Sequence, residues 1–165
     1  MIKIKKIIIV CDISNICYYN TRGDQPKLKN IDLLFSSIPE DIEFIGIADC
    51  SLYHTIDEKL RYKEEYLIPK LITEAPSSTR ADDFILNFAV KNNAFILSND
   101  RFLEYDFISK GWLDAHKINF MIINDQLIFQ RPMHLIFKNH QKQQNDIGKL
   151  DSDGEIIMKM KKTYI

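Results

Sequence analysis

The sequence predicts an α/β domain, a three-layer α/β/α sandwich around a central, mostly parallel sheet. Three observations predict it. Nearly continuous apolar runs at residues 7–11, 44–48 and 94–97 have the composition of strands covered on both faces. Segments with helical spacing alternate with them, which is the pattern of a parallel α/β sheet. Carboxylates stand at or just past apolar strand-like runs, at Asp12, Asp82-Asp83 and Asp100, with Asp49 a bystander at the same edge. The carboxyl ends of the strands are where open α/β sheets bind ligands.

Each element follows in order. Residues 7–11 form the central strand, and residues 19–29, with Gly23 and Pro26, read as loop. Residues 31–38 have a short helical period stopped by Pro39, and residues 44–48 are the second strand. The charged stretch 55–67 suits a surface helix with Leu60 and Leu67 inward, limited by Pro69. Residues 71–74 form a short third strand closed by Pro76. Ser77, Ser78 and Thr79 offer caps for a helix at 81–90 whose apolar stripe is Phe84, Ile85, Phe88 and Ala89. Residues 94–97 are the fourth strand and 118–123 the fifth. Asn124-Asp125 then turns into 127–129, so the sheet ends in a hairpin. Residues 1–137 are assigned to this domain, and 138–165 to a polar C-terminal extension in which Asp153-Gly154 offers an accessory hairpin.

With 45% hydrophobic and 27% charged residues, the 165-residue chain has the composition of an ordinary globular domain large enough to bury a core. A net charge of −1 excludes a wholesale polycation and leaves room for a locally basic groove. Cys11, Cys17 and Cys50 are odd in number and lack CxxC spacing, so neither a disulfide framework nor a zinc site is expected. Cys11 reads as a small buried hydrophobe. The four histidines, His54, His116, His134 and His140, show no metal-ligand spacing. No apolar run approaches a membrane span, and a reducing cytoplasm is the expected setting.

The chemistry lies in the acids: Asp12, the Asp82-Asp83 pair at the head of a helix, and Asp100 with Glu104 four residues on. Each has an ordinary structural use. Asp12 and Asp100 suit turns, and Thr79-x-x-Asp82 resembles a capping box. Glu104 would share a face with Asp100 if a helical turn followed the strand. Taken together, several carboxylates at one sheet edge repel one another unless a divalent cation neutralises them. Magnesium takes oxygen ligands, keeps several waters, and is held by one or two carboxylates plus a substrate phosphate. Ser14 and Asn15 after Asp12, and Ser98 and Asn99 before Asp100, suit either turns or the orientation of these acids.

The ordered motifs CDISN (11–15), DDFILNFAVK (82–91) and LSNDRFLE (97–104) resemble those of the PIN-like ribonucleases. The likeness is to the NYN branch, and within it to the Regnase-type endoribonuclease domain found beside a CCCH zinc finger. That family reads D-G-S-N, then D-D-R-F-I-x-K-x-A, then V-S-N-D-x-x-R-D. The likeness covers roughly residues 5–132. It implies Asp12, Asp83 and Asp100 as metal-binding acids, Asp82 and Glu104 as further catalytic acids, and Asn15 as the asparagine of the first motif. It also implies Mg2+, with Mn2+ as a substitute, cleaving single-stranded or structured RNA to 5′-phosphate and 3′-hydroxyl ends. Arg80, Arg101, Lys59 and Arg61, with Lys63, are the candidate RNA-gripping cations, and Tyr18, Tyr19 and Tyr53 the candidate base platforms. Ile13 stands in place of the family glycine, Phe84 in place of its arginine, and the sequence contains no CCCH finger.

Two alternatives compete. One is a catalytically weak or inactive PIN-like subunit that binds RNA or a partner. The other is a haloacid-dehalogenase-like phosphatase, which needs an acid at position 14, where this chain has serine. Partners consistent with the nuclease reading are RNA, an antitoxin or regulatory protein, and a second copy of the chain, but no membrane.

Overall fold

The computed structural model describes residues 6–40 and 42–130. They fall into two compact units, residues 6–100 with 117–130, and residues 101–116. The accessory hairpin expected at Asp153-Gly154 lies outside the described residues, as do His134 and His140.

The first unit is built on a five-stranded sheet ordered β3-β2-β1-β4-β5, all of whose pairings are parallel. The strands are β1 (Ile8–Asp12), β2 (Glu43–Ala48), β3 (Ile72–Glu74), β4 (Phe95–Leu97) and β5 (Lys117–Ile118). β1 is central, and Val10 and Cys11 are fully buried, as expected of a strand covered on both sides. The chain moves outward from β1 to β3, then returns to lay β4 against β1's other edge. Right-handed crossovers therefore put the helices before β3 on one face and the helix before β4 on the other. The switch point lies between β1 and β4.

The helices are α1 (Ile13–Cys17), α2 (Leu28–Ser37), α3 (Leu52–Thr55), α4 (Lys59–Tyr62) and α5 (Ala81–Asn92). The short α1, which starts directly after β1, was not anticipated. Its carbonyl end is closed by the buried Asn30 amide, which donates to Ile16, Cys17 and Tyr19 oxygens. α2 begins at Leu28, earlier than the apolar spacing indicates, because Asp57 accepts the Leu28 N–H at 2.9 Å.

The single helix expected over 55–67 is instead broken into α3, α4 and a π-helical turn at Lys63–Leu67. Its inward residues are also different: Tyr62 and Tyr66 are buried while Leu60 is 72% exposed. The cause is aromatic packing. Tyr66 joins Phe35, which meets Phe44 of β2 edge-on with centroids 4.8 Å apart, and the Tyr66 hydroxyl donates to Asp32. The expected apolar stripe of α5 is also adjusted, with Ile85, Leu86 and Ala89 buried and Phe84 42% exposed.

The fifth expected strand divides. Lys117–Ile118 joins the main sheet, while β6 (Phe120–Ile123) pairs antiparallel with β7 (Gln126–Phe129) as a separate two-stranded sheet. Asn124 and Asp125 both have positive φ, as a type I′ hairpin turn requires.

In the second unit, α6 (Lys110–His116) stacks Trp112 on His116 with ring centroids 4.0 Å apart. Residues 101–105 form no helix, so Asp100 and Glu104 do not share a helical face as expected, and they belong to different units. No helix among the described residues is long and apolar enough to cross a membrane.

Candidate active site

Asp12 ends β1 at the switch point and is only 4% exposed. Its carboxylate is held from two sides. Oδ1 accepts the Asn15 N–H at 3.0 Å, which caps α1. Oδ2 accepts the Ser98 hydroxyl at 2.9 Å from the end of β4. Burial pushes the Asp12 carboxyl up from 3.8 to about 7, against the lowering effect of these two hydrogen bonds. Two neighbouring acids, Asp82 and then Asp49, raise it further.

The LSND segment is fastened to this strand by its polar side chains. The fully buried Ser98 hydroxyl also accepts the Asp100 N–H at 3.0 Å, so one oxygen links Asp12 to the backbone of Asp100. Asn15 Oδ1 accepts the Asn99 N–H at 3.0 Å. The Asn99 side chain in turn pairs with both the N–H and the C=O of Phe120, as a strand would. Asn15 thus orients Asp12 through its backbone and the β4 loop through its side chain. Ser14, Asn15, Ser98 and Asn99, ambiguous in sequence, all serve to position the acids.

Asp49 follows β2 at the same edge, and its charge, like that of Asp82, acts on Asp12. Its N–H donates to the Ser14 hydroxyl at 2.9 Å, and its Oδ1 accepts the N–H of Ala81 at 3.3 Å. The head of α5 is therefore held by Asp49. The expected Thr79-x-x-Asp82 capping box does not form, since Arg80 takes the cap position without a side-chain cap bond. A reach from a neighbouring strand leaves no local signal in sequence. The only hint was an acid directly after an apolar run.

Asp82 and Asp83 are successive residues on α5, and adjacent helical side chains do not face the same way. Asp82 is the one whose charge raises Asp12, and it is paired with Arg80 at 3.1 Å. Asp83 is half-buried and Asp100 exposed. Among the described residues, no three acidic, histidine or cysteine side chains converge tightly enough to form a ready-made ion cage. The expected Asp12–Asp83–Asp100 shell is therefore not assembled as such, because the Asp82-Asp83 pair splits between two directions. The donor chemistry at Asp12 still suits magnesium. That ion needs only one or two direct carboxylates, and the mutual repulsion of Asp12, Asp82 and Asp49 is what a cation relieves.

The candidate RNA cations separate. Arg61 is committed within the fold, with both Asp32 oxygens at 2.8 Å and Glu65 at 3.0 Å. Lys59, Lys63, Arg80 and Arg101 are exposed. Tyr18 is 41% exposed, whereas Tyr19 packs on Phe120. Ile13, in the family's glycine position, is fully buried and lies in α1. Its side chain occupies the space beside Gly46 of β2, where an added Cβ would sit 3.2 Å from it. A glycine on the neighbouring strand thus accommodates the missing glycine of the motif.

A parallel sheet of this order, with acids at the carboxyl ends of its strands, is the open α/β architecture that the sequence predicts. The chain matches the Zc3h12a-like ribonuclease NYN domain over residues 5–142 and belongs to that family of ribonucleases. It is similar in fold to the crystal structure of nuclear proteinaceous RNase P 2 (PRORP2) from A. thaliana. The TM-score is 0.61 at 17% identity, covering 78% of this chain and 30% of that one. A second structure of the Arabidopsis thaliana nuclear protein-only RNase P 2 gives 0.62 at 13% identity, covering 79% and 31%. The chain thus spans about a third of the length of these structures. No curated protein matches it in sequence.

Proposed function

We propose that this domain is a metal-dependent endoribonuclease that hydrolyses phosphodiester bonds of single-stranded RNA, leaving 5′-phosphate and 3′-hydroxyl ends. The observation that carries the reading is Asp12, a buried strand-end carboxylate held by two hydrogen bonds and crowded by Asp82 and Asp49. Asp12, with Asp82 whose charge acts on it, is the pair we assign to Mg2+ or Mn2+. The motif resemblance gives Asp83 and Asp100 as metal-binding acids and Glu104 as a further catalytic acid.

A divalent cation there supplies neutralisation of the scissile phosphate and a lowered pKa for an attacking water. The residues of this chain do the rest. Ser98 and Asn15 keep the Asp12 carboxylate in one orientation, and an oriented site removes reorganisation from the reaction. Asp49 keeps the head of α5, and with it Asp82, at the sheet edge. Arg80, beside Asp82, and Arg101, after Asp100, are the cations nearest in sequence to the acids and the first candidates to contact the RNA backbone.

One observation favours the alternative of a catalytically silent RNA-binding subunit, namely the lack of a three-ligand cage among the described residues. Incubating the protein with single-stranded RNA and Mg2+ or Mn2+ separates the two. Cleavage is expected with metal, lost in EDTA, and reduced on the order of a thousandfold in Asp12→Asn, as losing several kcal/mol of charge stabilisation requires. Cleavage undiminished by EDTA or by Asp12→Asn sinks the proposal; RNA binding with no turnover on any substrate establishes the silent subunit.

A further inference from the structure

A cavity of about 320 Å³ lies beyond the acid cluster, lined by Tyr53, Lys63, Leu67, Ile68 and Glu74. Its size is at the lower end of the ~300–1,000 Å³ usual for ligand pockets. One of its lining residues belongs to the same sheet edge. Glu74 ends β3 and pairs in register with Ala48, the residue before Asp49, while Asp12 pairs with Ile47. β3 lies two strands from β1, so the cavity is roughly 10 Å from Asp12 along the edge. That is within the span of a strand of RNA whose phosphate lies at Asp12.

The lining has a specific chemistry. Glu74 Oε1 accepts the Tyr53 N–H at 3.1 Å, with the Tyr62 hydroxyl 3.5 Å away, so the carboxylate is aimed by the fold. An ionised carboxylate only accepts hydrogen bonds, and an ammonium only donates them. Glu74 thus selects a ligand with clustered N–H donors, and Lys63 one with an acceptor nearby. Tyr53, Leu67 and Ile68 supply flat apolar surface. Among the RNA bases, guanine alone carries two adjacent donors, N1–H and N2–H, next to the O6 and N7 acceptors that lysine recognises. Adenine and cytosine each set a ring-nitrogen acceptor beside their amino group, which a carboxylate repels. Uracil offers one donor between two acceptors.

We propose that this cavity is a guanine-binding subsite, with Glu74 on the Watson–Crick edge and Lys63 on O6, seating one base of the RNA strand. The inference rests on the ribonuclease reading for its biological use, but its binding chemistry stands without metal. The test uses the full chain in EDTA, where no cleavage interferes. GMP is expected to bind on the order of tenfold or more tighter than AMP, CMP and UMP, the discrimination of one good bidentate contact. Glu74→Gln and the exposed-site variant Lys63→Gln should each remove most of that preference, while Asp12→Asn keeps it. A guanine-containing oligonucleotide should bind at least as tightly as GMP. With Mg2+ added, mapped cleavage sites should show guanine at a fixed offset, and Lys63→Gln should flatten that offset.

Equal binding of the four nucleotides, or guanine preference surviving in both variants, overturns the subsite. GMP binding tighter than the oligonucleotide overturns its assignment to RNA. Guanine-selective binding without metal-dependent cleavage would leave the subsite standing and remove the nuclease reading. Cleavage with no base preference would do the reverse.

Discussion

The two halves of the sheet edge are built on opposite principles. On the β1–β4 side, Asp12 and Ser98 are buried, and the side chains of Asp12, Asn15 and Ser98 tie the DISN and SND segments together. On the β2–β3 side, Asp49 and Glu74 are half-buried, the connecting helices are broken, and Glu74 lines an open cavity. The first half fixes one carboxylate in one position at an electrostatic cost. The second leaves its acids half-buried, with Glu74 at the edge of open space. Catalysis needs the first kind of construction, and recognition of a variable strand is served by the second.

The largest test of the contrast is Asp12 itself. Its folded carboxyl sits at about 7, above the ordinary 3.8, so the folded state binds this proton more tightly than the unfolded chain. The contribution to stability is therefore full below about pH 4 and lost as the pH rises through 7, a change of roughly 4 kcal/mol for such a shift. Thermal melts in EDTA should show stability falling between about pH 4 and 7. Asp12→Asn should flatten that slope and melt higher than the parent at pH 8, although it is expected to abolish cleavage. Mg2+ should restore much of the parent's stability at pH 8 and little of the variant's. A variant less stable than the parent at pH 8 would mean that the buried charge is not the strained element.

The sequence carried the tight half better than the loose one. Asp12, Asp82 and Asp100 stand out because each follows or precedes a strongly periodic segment. The DISN and SND polar residues lie next to acids whose chemistry needs orienting. The Asn124-Asp125 turn was legible for the same local reason. The loose half was misread because its determinants are distant in sequence. Tyr66 is buried by Phe35 and Asp32, and the head of α5 is capped by Asp49. A charged run such as 55–67 shows its exposed residues plainly and hides the aromatic ones that carry the packing. The split of the fifth strand at Asn119 is another such case, since Asn99, twenty residues earlier, holds the start of β6.

Ser98 tests whether the tight half works through its hydrogen bonds. Ser98→Ala removes the donor to Asp12 Oδ2 and the acceptor for the Asp100 N–H. Leaving such buried groups unpaired costs about 1–3 kcal/mol. The Ser98 bond also lowers the Asp12 pKa. Its loss should therefore move the acid limb of the cleavage pH profile upward, as the carboxylate then ionises at higher pH. A fall in melting temperature with an unmoved pH profile would reduce Ser98 to a packing residue.

Asp49 joins the two halves, and its replacement should have the smallest and most discriminating effect. Asp49→Ala removes the acceptor for the Ala81 N–H at the head of α5, worth about 1 kcal/mol for a helix cap. It also removes a negative charge that raises the Asp12 carboxyl. The pH profile should therefore shift downward, opposite to Ser98→Ala, while stability falls in both. Two variants that destabilise alike and move the same titration in opposite directions cannot both act through general loosening of the fold. If Asp49→Ala shifted the profile upward instead, the displaced α5 would outweigh the lost charge, and Asp49 would belong with the positioning residues of the tight half.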